Sequence, residues 1–232
     1  MTVPIDTLFL DAGGVLVYPN WVRVAETLNR FGVRADATVL AAAEPHAKRQ
    51  IDVRNQVAVT NDRQRGWTYF NLILARAGVE ITPETTAALD ELDVYHRRWN
   101  LWEQVPDTVV PALRRLRALG LRLVVVSNAN GTLHTAFERL GLMPHVDCVL
   151  DSHVEGIEKP DPRFFQIALE RAGARAESTL HVGDLYHIDV CGARAAGLRA
   201  VLLDTENIYA DVDCARVSSL DELVEGLRAS LY

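Results

Sequence analysis

Short apolar runs alternate with helical stripes along most of the chain. Ile5 to Leu10 is the first run. It is rich in strand formers and stops at Asp11-Ala12-Gly13-Gly14, where glycine lets the backbone turn sharply. Leu121 to Val126 is the second, ending at Ser127-Asn128, and Val146 to Leu150 is a weaker third. Thr179 to Val182 ends at Gly183-Asp184, and Leu198 to Leu203 ends at Asp204. Such short, nearly continuous runs predict strands buried on both faces, as in a parallel sheet.

Helical patterns separate the later runs. Leu113, Leu116 and Leu119 share one stripe, stopped by Gly120; Leu133, Phe137 and Leu140 share another, stopped by Gly141. Asp161-Pro162 places a capping carboxylate and a proline ahead of Phe165, Ala168 and Leu169. Leu220, Leu223, Val224, Leu227 and Leu231 stripe the last helix. This alternation predicts an α/β fold with a doubly wound parallel sheet. Between Pro19 and Trp102 the pattern changes to helices alone: Trp21, Leu28 and Phe31 mark one, Phe70, Ile73 and Leu74 a second, and Leu89, Leu92, Tyr95 and Trp99 a third. Gly78 and Thr82-Pro83 punctuate them. The expected organisation is therefore a core domain of residues 1–18 and 105–232, interrupted by an all-helical insert of residues 19–104. Prolines near Tyr18-Pro19 and Gln104-Pro106 flank the insert and are the expected hinges.

Composition narrows the function. The 232 residues are 49% hydrophobic and 24% charged, as in an ordinary soluble globular protein. The formal net charge of −7 lacks the basic excess of a general nucleic-acid binder. It leaves room for an anionic small molecule, because a metal ion and one lysine reverse the sign locally. Cys148, Cys191 and Cys214 are far apart and odd in number, which suits reduced thiols rather than a disulfide framework or a zinc site. The start, Met1-Thr2-Val3-Pro4-Ile5-Asp6, has no basic segment before an apolar run, and no stretch approaches the ~20 apolar residues of a membrane span. A cytoplasmic location is expected, with no membrane partner. Oligomeric state is not legible.

In open parallel sheets, ligands bind beyond the carboxyl ends of the strands. Those ends carry Asp11, Ser127 and Gly183-Asp184; Asp189 follows near a helix start, and Lys159 lies in the loop after the third run. Each residue taken alone has a plainer reading: Lys159 as a surface partner of Glu158, Asp189 as a helix-dipole residue, Ser127 as a turn hydroxyl. Together they place a nucleophile-grade carboxylate, a hydroxyl, an ammonium and two more carboxylates on one sheet edge.

This constellation resembles the four motifs of the haloacid dehalogenase superfamily. Asp11-Ala12-Gly13-Gly14-Val15-Leu16 stands where the family has D-x-D-G-[TV]; Ser127 in Val126-Ser127-Asn128, Lys159 in Glu158-Lys159-Pro160-Asp161-Pro162, and Gly183-Asp184 through Asp189 stand for the other three. The likeness covers essentially the whole chain, and the helical insert after the first motif resembles the helical-cap subclass. It implies a Mg²⁺-dependent hydrolase acting on a small phosphorylated metabolite. The implied metal ligands are Asp11, the Gly13 carbonyl and Asp184, with Asp189 as a third carboxylate ligand or as an anchor behind them. Asp11 would attack phosphorus and form an aspartyl-phosphate. Ser127, Asn128 and Lys159 would bind the transferring group and offset its charge.

The chain departs from that pattern at Gly13, where the family's phosphatases carry a second Asp as general acid. Losing a positioned acid costs about 10²–10⁴ in rate. A good leaving group would need none; a proton could instead come from the insert, with His46, Lys48 and His96 as candidates. Family members that cleave carbon–halogen or carbon–phosphorus bonds also lack this Asp. The former need no metal and lack the Gly-Asp-x-x-x-x-Asp pattern that this chain keeps; the latter use an insert lysine, for which Lys48 is the candidate. A non-catalytic metal- or anion-binding protein is the remaining alternative. Asn20, Trp21, Arg54, Arg63 and Trp67 are the candidate substrate-selecting residues of the insert.

Overall fold

The structure is a computed structural model and describes residues 3–57 and 59–230. Of the residues named above, Met1, Thr2 and Leu231 lie outside the described ones. The chain divides into two compact units, Met1–Tyr18 with Val105–Tyr232, and Pro19–Gln104. The strands are β1 (Thr7–Leu10), β2 (Tyr18–Pro19), β3 (Trp102–Gln104), β4 (Arg122–Ser127), β5 (Cys148–Asp151), β6 (Thr179–Gly183), β7 (Arg199–Leu203) and β8 (Ala215–Val217).

Six of them form one sheet in the order β5-β4-β1-β6-β7-β8, every pair parallel. This is the doubly wound class that the apolar runs predict. The chain starts in the middle at β1, builds β4 and β5 on one side, then returns to build β6, β7 and β8 on the other. β1 is thus a topological switch point, where a crevice opens at the carboxyl ends. The register aligns Leu10 with Val125 and with Val182, so Asp11, Ser127 and Gly183 leave the sheet at the same edge. β1 and β6 are buried throughout, which explains why their sequences are nearly unbroken in hydrophobicity. The short strands β2 and β3, absent from the pattern reading, pair with each other in a separate ribbon.

The unit Pro19–Gln104 contains α1 (Trp21–Arg30), α2 (Ala37–Ile51), α3 (Arg54–Val57), α4 (Asp62–Arg76) and α5 (Pro83–Trp99). Their starts are locally encoded. Asp36 accepts from the Thr38 and Val39 N–H groups, Asn61 and Gln64 form a reciprocal capping box, and Thr82 caps α5 ahead of Pro83. Trp21, Val24 and Leu28 of α1 pack with Leu40, Ala43 and Ala47 of α2, Ile73 and Leu74 of α4, and Ala88, Leu89 and Leu92 of α5. Each fully buried leucine or isoleucine there contributes about 1.5–3 kcal/mol. Helix α2 writes a weak signal in the sequence, because its buried stripe is Leu40, Ala43, Glu44, Ala47 and Ile51, with a charged residue and two small ones among them, and Pro45 lies inside it.

In the sheet unit, α6 (Val109–Ala118), α7 (Leu133–Arg139), α8 (Ser152–Glu155), α9 (Pro162–Ala172), α10 (Cys191–Ala195) and α11 (Leu220–Arg228) follow. Phe9, Val124 and Val126 share one sheet face and pack against Phe164, Phe165 and Ala168 of α9 and Ala193 of α10. Leu8, Leu10, Leu123 and Val125 alternate with them and are fully buried on the opposite face. No helix among the described residues is long and apolar enough to cross a membrane.

Candidate active site

The first motif is a tight turn. The Ala12 carbonyl accepts from Leu16 and Val17 N–H at 2.9 Å each, and Gly14 donates back to the Val17 carbonyl at 2.9 Å. Gly14 has φ +75°, a left-handed conformation that favours glycine. The turn holds Asp11 at the edge of β1, where the Ala12 N–H donates to Asp11 Oδ1 at 2.8 Å. Lys159 Nζ stands 3.0 Å from the same oxygen. Two donors on one oxygen fix the rotation of the carboxylate.

Lys159 is fully buried, so it is not a surface partner of Glu158. Its Nζ donates to Asp189 Oδ1 at 2.6 Å. The rest of the residue is held by Asn128, whose side chain accepts from the Lys159 N–H at 2.8 Å and donates to the Lys159 carbonyl at 3.0 Å. The Asn128 side chain therefore anchors the lysine loop, beyond the phosphate-binding role expected of its backbone N–H. Ser127 is buried at the end of β4, and its hydroxyl donates to the Asn128 carbonyl at 3.4 Å. Asp151 and Ser152, which the sequence reading passed over, shape the loop after β4. Asp151 Oδ2 accepts from Gly131 and Leu133 N–H, and Ser152 Oγ accepts from Ala129 N–H.

Asp189 lies in a π-helical turn, Tyr186–Val190, between β6 and α10. It is fully buried, and Oδ2 accepts from the Leu185 N–H at 2.9 Å. Gly183 leaves room for it: a Cβ at that position would collide with the Asp189 side chain. Gly192 plays the same part behind the lysine loop, since a Cβ there would stand 2.9 Å from Pro160 Cα. These contacts give physical content to Gly183 of the fourth motif and to Gly192, which the sequence pattern does not single out.

Burial works against every charge in this cluster, and the neighbours decide the outcome. Burial raises the Asp11 carboxyl above the usual carboxylate range, although Lys159 pulls the other way. For Asp189, burial is overcome by Lys159 and His181, and the group is held well below that range. Burial likewise disfavours the Lys159 ammonium, but Asp11 and Asp189 outweigh it and raise its pKa. Oxygens of Asp11, Asp184 and Asp189 all lie within 4.8 Å of one another, and all three residues are buried. Three buried carboxylates beside Lys159 form a negative pocket of hard oxygen donors, which suits a divalent cation such as Mg²⁺.

The remaining predicted residues belong to the helical unit. Asn20 caps α1 by accepting from Arg23 N–H and donates to Glu103 Oε1 at 2.9 Å. Trp21 is buried in that unit's aromatic core, and its indole N–H donates to Glu44 Oε2 at 3.0 Å. Both side chains are engaged in holding the unit together. Lys48 is ion-paired to Glu44 at 3.0 Å, and the His96 ring accepts the Leu101 N–H on Nδ1 at 3.1 Å. His46, Arg54, Arg63 and Trp67 are exposed.

The sequence profile of haloacid dehalogenase-like hydrolases matches residues 5–197. The chain belongs to this family. The chain is 44% identical over 100 residues to the human haloacid dehalogenase-like hydrolase domain-containing protein 3, a match covering 43% of this chain and 40% of that protein. It is 32% identical over 159 residues to a glyceraldehyde 3-phosphate phosphatase of Methanothermobacter thermautotrophicus, covering 67% of this chain and 69% of the other. Its fold is shared with the HAD-hydrolase YfnB of Bacillus subtilis, whose structure is bound to magnesium: TM-score 0.69, 19% identity, 97% of this chain and 99% of that one.

Proposed function

We propose that this hydrolase removes phosphate from a small phosphorylated metabolite, with Asp11 as nucleophile and Mg²⁺ as cofactor. One observation carries the reading: a buried carboxylate at the switch point, Asp11, stands 3.0 Å from the Lys159 ammonium and shares a pocket with Asp184 and Asp189. The glyceraldehyde 3-phosphate phosphatase relative supports the substrate class.

Asp11, Asp184 and the Gly13 carbonyl would hold the cation, which when bound neutralises phosphate charge and lowers the electrostatic barrier to attack. The protein's own groups do the rest. Ala12 N–H and Lys159 orient the Asp11 carboxylate. Its attack on phosphorus forms an aspartyl-phosphate and expels the leaving group; water then cleaves the acyl phosphate and restores Asp11. Ser127 and the Asn128 N–H hold phosphate oxygens, and Lys159 offsets the charge that builds on them.

Gly13 supplies no proton to the leaving group, so the site is best matched to leaving groups that depart unprotonated. Acetyl phosphate and p-nitrophenyl phosphate, assayed with and without Mg²⁺, test the reading. Turnover that requires the metal and is abolished in Asp11→Asn supports it. Absence of turnover on both substrates, with Mg²⁺ bound, points to a binding role instead. Chloride release from 2-chloropropionate without metal points to carbon–halogen cleavage.

A further inference from the structure

His181 is a buried titratable residue to which the proposed mechanism assigns no role. It sits in the middle of β6, fully buried, directly opposite Phe9 in the register. By the alternation of the strand it shares the sheet face of Phe9 and Val124, and its ring meets Phe165 edge-on with centroids 5.0 Å apart. Packing alone would be served by any apolar side chain, and a polar ring buried there costs free energy unless its nitrogens are bonded. Both are. Nδ1 lies 3.1 Å from the Phe9 carbonyl, which can only accept, so Nδ1 carries a hydrogen. Nε2 lies 3.1 Å from Asp189 Oδ1, a carboxylate oxygen that also only accepts, so the geometry calls for a hydrogen on each nitrogen and the ring faces Asp189 as an imidazolium.

We propose that His181 is a positioning residue: it commits Asp189 to the Lys159 ammonium and so sets where that ammonium stands beside Asp11. The idea rests on the phosphatase reading for its effect on turnover, and on geometry alone for the contact. A carboxylate offers about four lone-pair sites. Asp189 places Lys159 and His181 on Oδ1 and Leu185 N–H on Oδ2. Three protein donors, with Gly183 closing the space behind, leave the group anchored from several sides. Asp189 is then the counter-ion of Lys159, and the cation's carboxylates are Asp11 and Asp184. Of the two expectations for Asp189, ligand or anchor, this selects the anchor.

Two variants and one spectrum test it. His181→Leu fills the space without donors; His181→Gln restores an N–H that can reach Asp189. With p-nitrophenyl phosphate and Mg²⁺, His181→Leu should lower kcat by about 10- to 100-fold while KM and calorimetric Mg²⁺ affinity stay unchanged. His181→Gln should recover most of the loss. Equal losses in the two variants, wild-type kcat in His181→Leu, or a matching fall in Mg²⁺ affinity would each overturn the proposal. The wild-type protein without metal provides a reading independent of turnover and of how well the variants fold. Proton NMR with labelled histidine should show an Nε2–H resonance shielded from solvent exchange and lost in Asp189→Ala. Its absence would refute the contact, even in an active enzyme. Its presence in a protein that hydrolyses no phosphate ester would spare the contact and sink the phosphatase reading.

Discussion

Both units bury charge, and they use it differently. The helical unit buries Glu44, Asp52 and Arg65; the sheet unit buries Asp151 and Asp204 and, gathered at one site, Asp11, Lys159, Asp184 and Asp189. In the helical unit, Glu44 and Arg65 each have partners within that unit. Glu44 takes the Trp21 indole and pairs with Lys48 one helical turn on, and Arg65 donates to the Thr60 carbonyl and stands 3.7 Å from Asp62. In the sheet unit, residues from β1, the turn after β6 and a distant loop converge on one pocket. Burial of a charge is thus no sign of chemistry by itself. Convergence at the carboxyl ends of parallel strands is, because like charges are gathered there at an electrostatic cost that local structure does not require.

The sharpest test of this contrast is Asp11→Asn. It keeps the shape and removes the nucleophile, so kcat should fall on the order of 10⁴- to 10⁶-fold. Thermal unfolding should be unchanged or slightly later, because one of three crowded carboxylates loses its charge. A variant that retains activity would remove Asp11 from the chemistry altogether.

Lys159→Met should come next. It strands Asp11 and Asp189 without their buried cation and should cost about 3–5 kcal/mol in urea unfolding, with partial recovery at low pH. A cost near zero would mean that the pocket does not depend on its ammonium. Gly183→Ala forces a methyl group against Asp189 and should cost about 1–3 kcal/mol, with kcat falling at constant KM. Loss of stability with full turnover would show that the Asp189 placement is not critical. The smallest effect belongs to the helical unit. Glu44→Gln keeps an acceptor for Trp21 and leaves Lys48 partly solvated, so stability should change by less than about 1 kcal/mol. A change as large as that of Lys159→Met would erase the distinction between the two units.

Much of the sheet was legible because buried parallel strands write a simple signal: an unbroken apolar run, then glycine or aspartate where the chain turns. Asp11, Ser127 and Asp184 were found by that rule. Strand β8 was not, since Ala215-Arg216-Val217 is a strand only by pairing with β7. His181 was hidden for a related reason. In Thr179-Leu180-His181-Val182 it reads as one more strand residue. Its use appears only when the register sets it opposite Phe9 and the π-turn returns Asp189 to it. Likewise Trp21 reads in the sequence as a candidate substrate-selecting residue, yet its indole is spent on Glu44 inside the helical core.

Taken alone, the residue order determined the class of fold, the helical insert and the residue types at the strand ends, because apolar periodicity, caps and glycine stops act over a few neighbouring residues. Only the tertiary structure decided which carboxylate faces Lys159, that Asp189 is shared between a lysine and a histidine, and that Asn128 grips the lysine backbone. The reason is physical: a buried polar group must find its partner wherever the fold brings one within about 3 Å, and that partner can come from any distance along the chain.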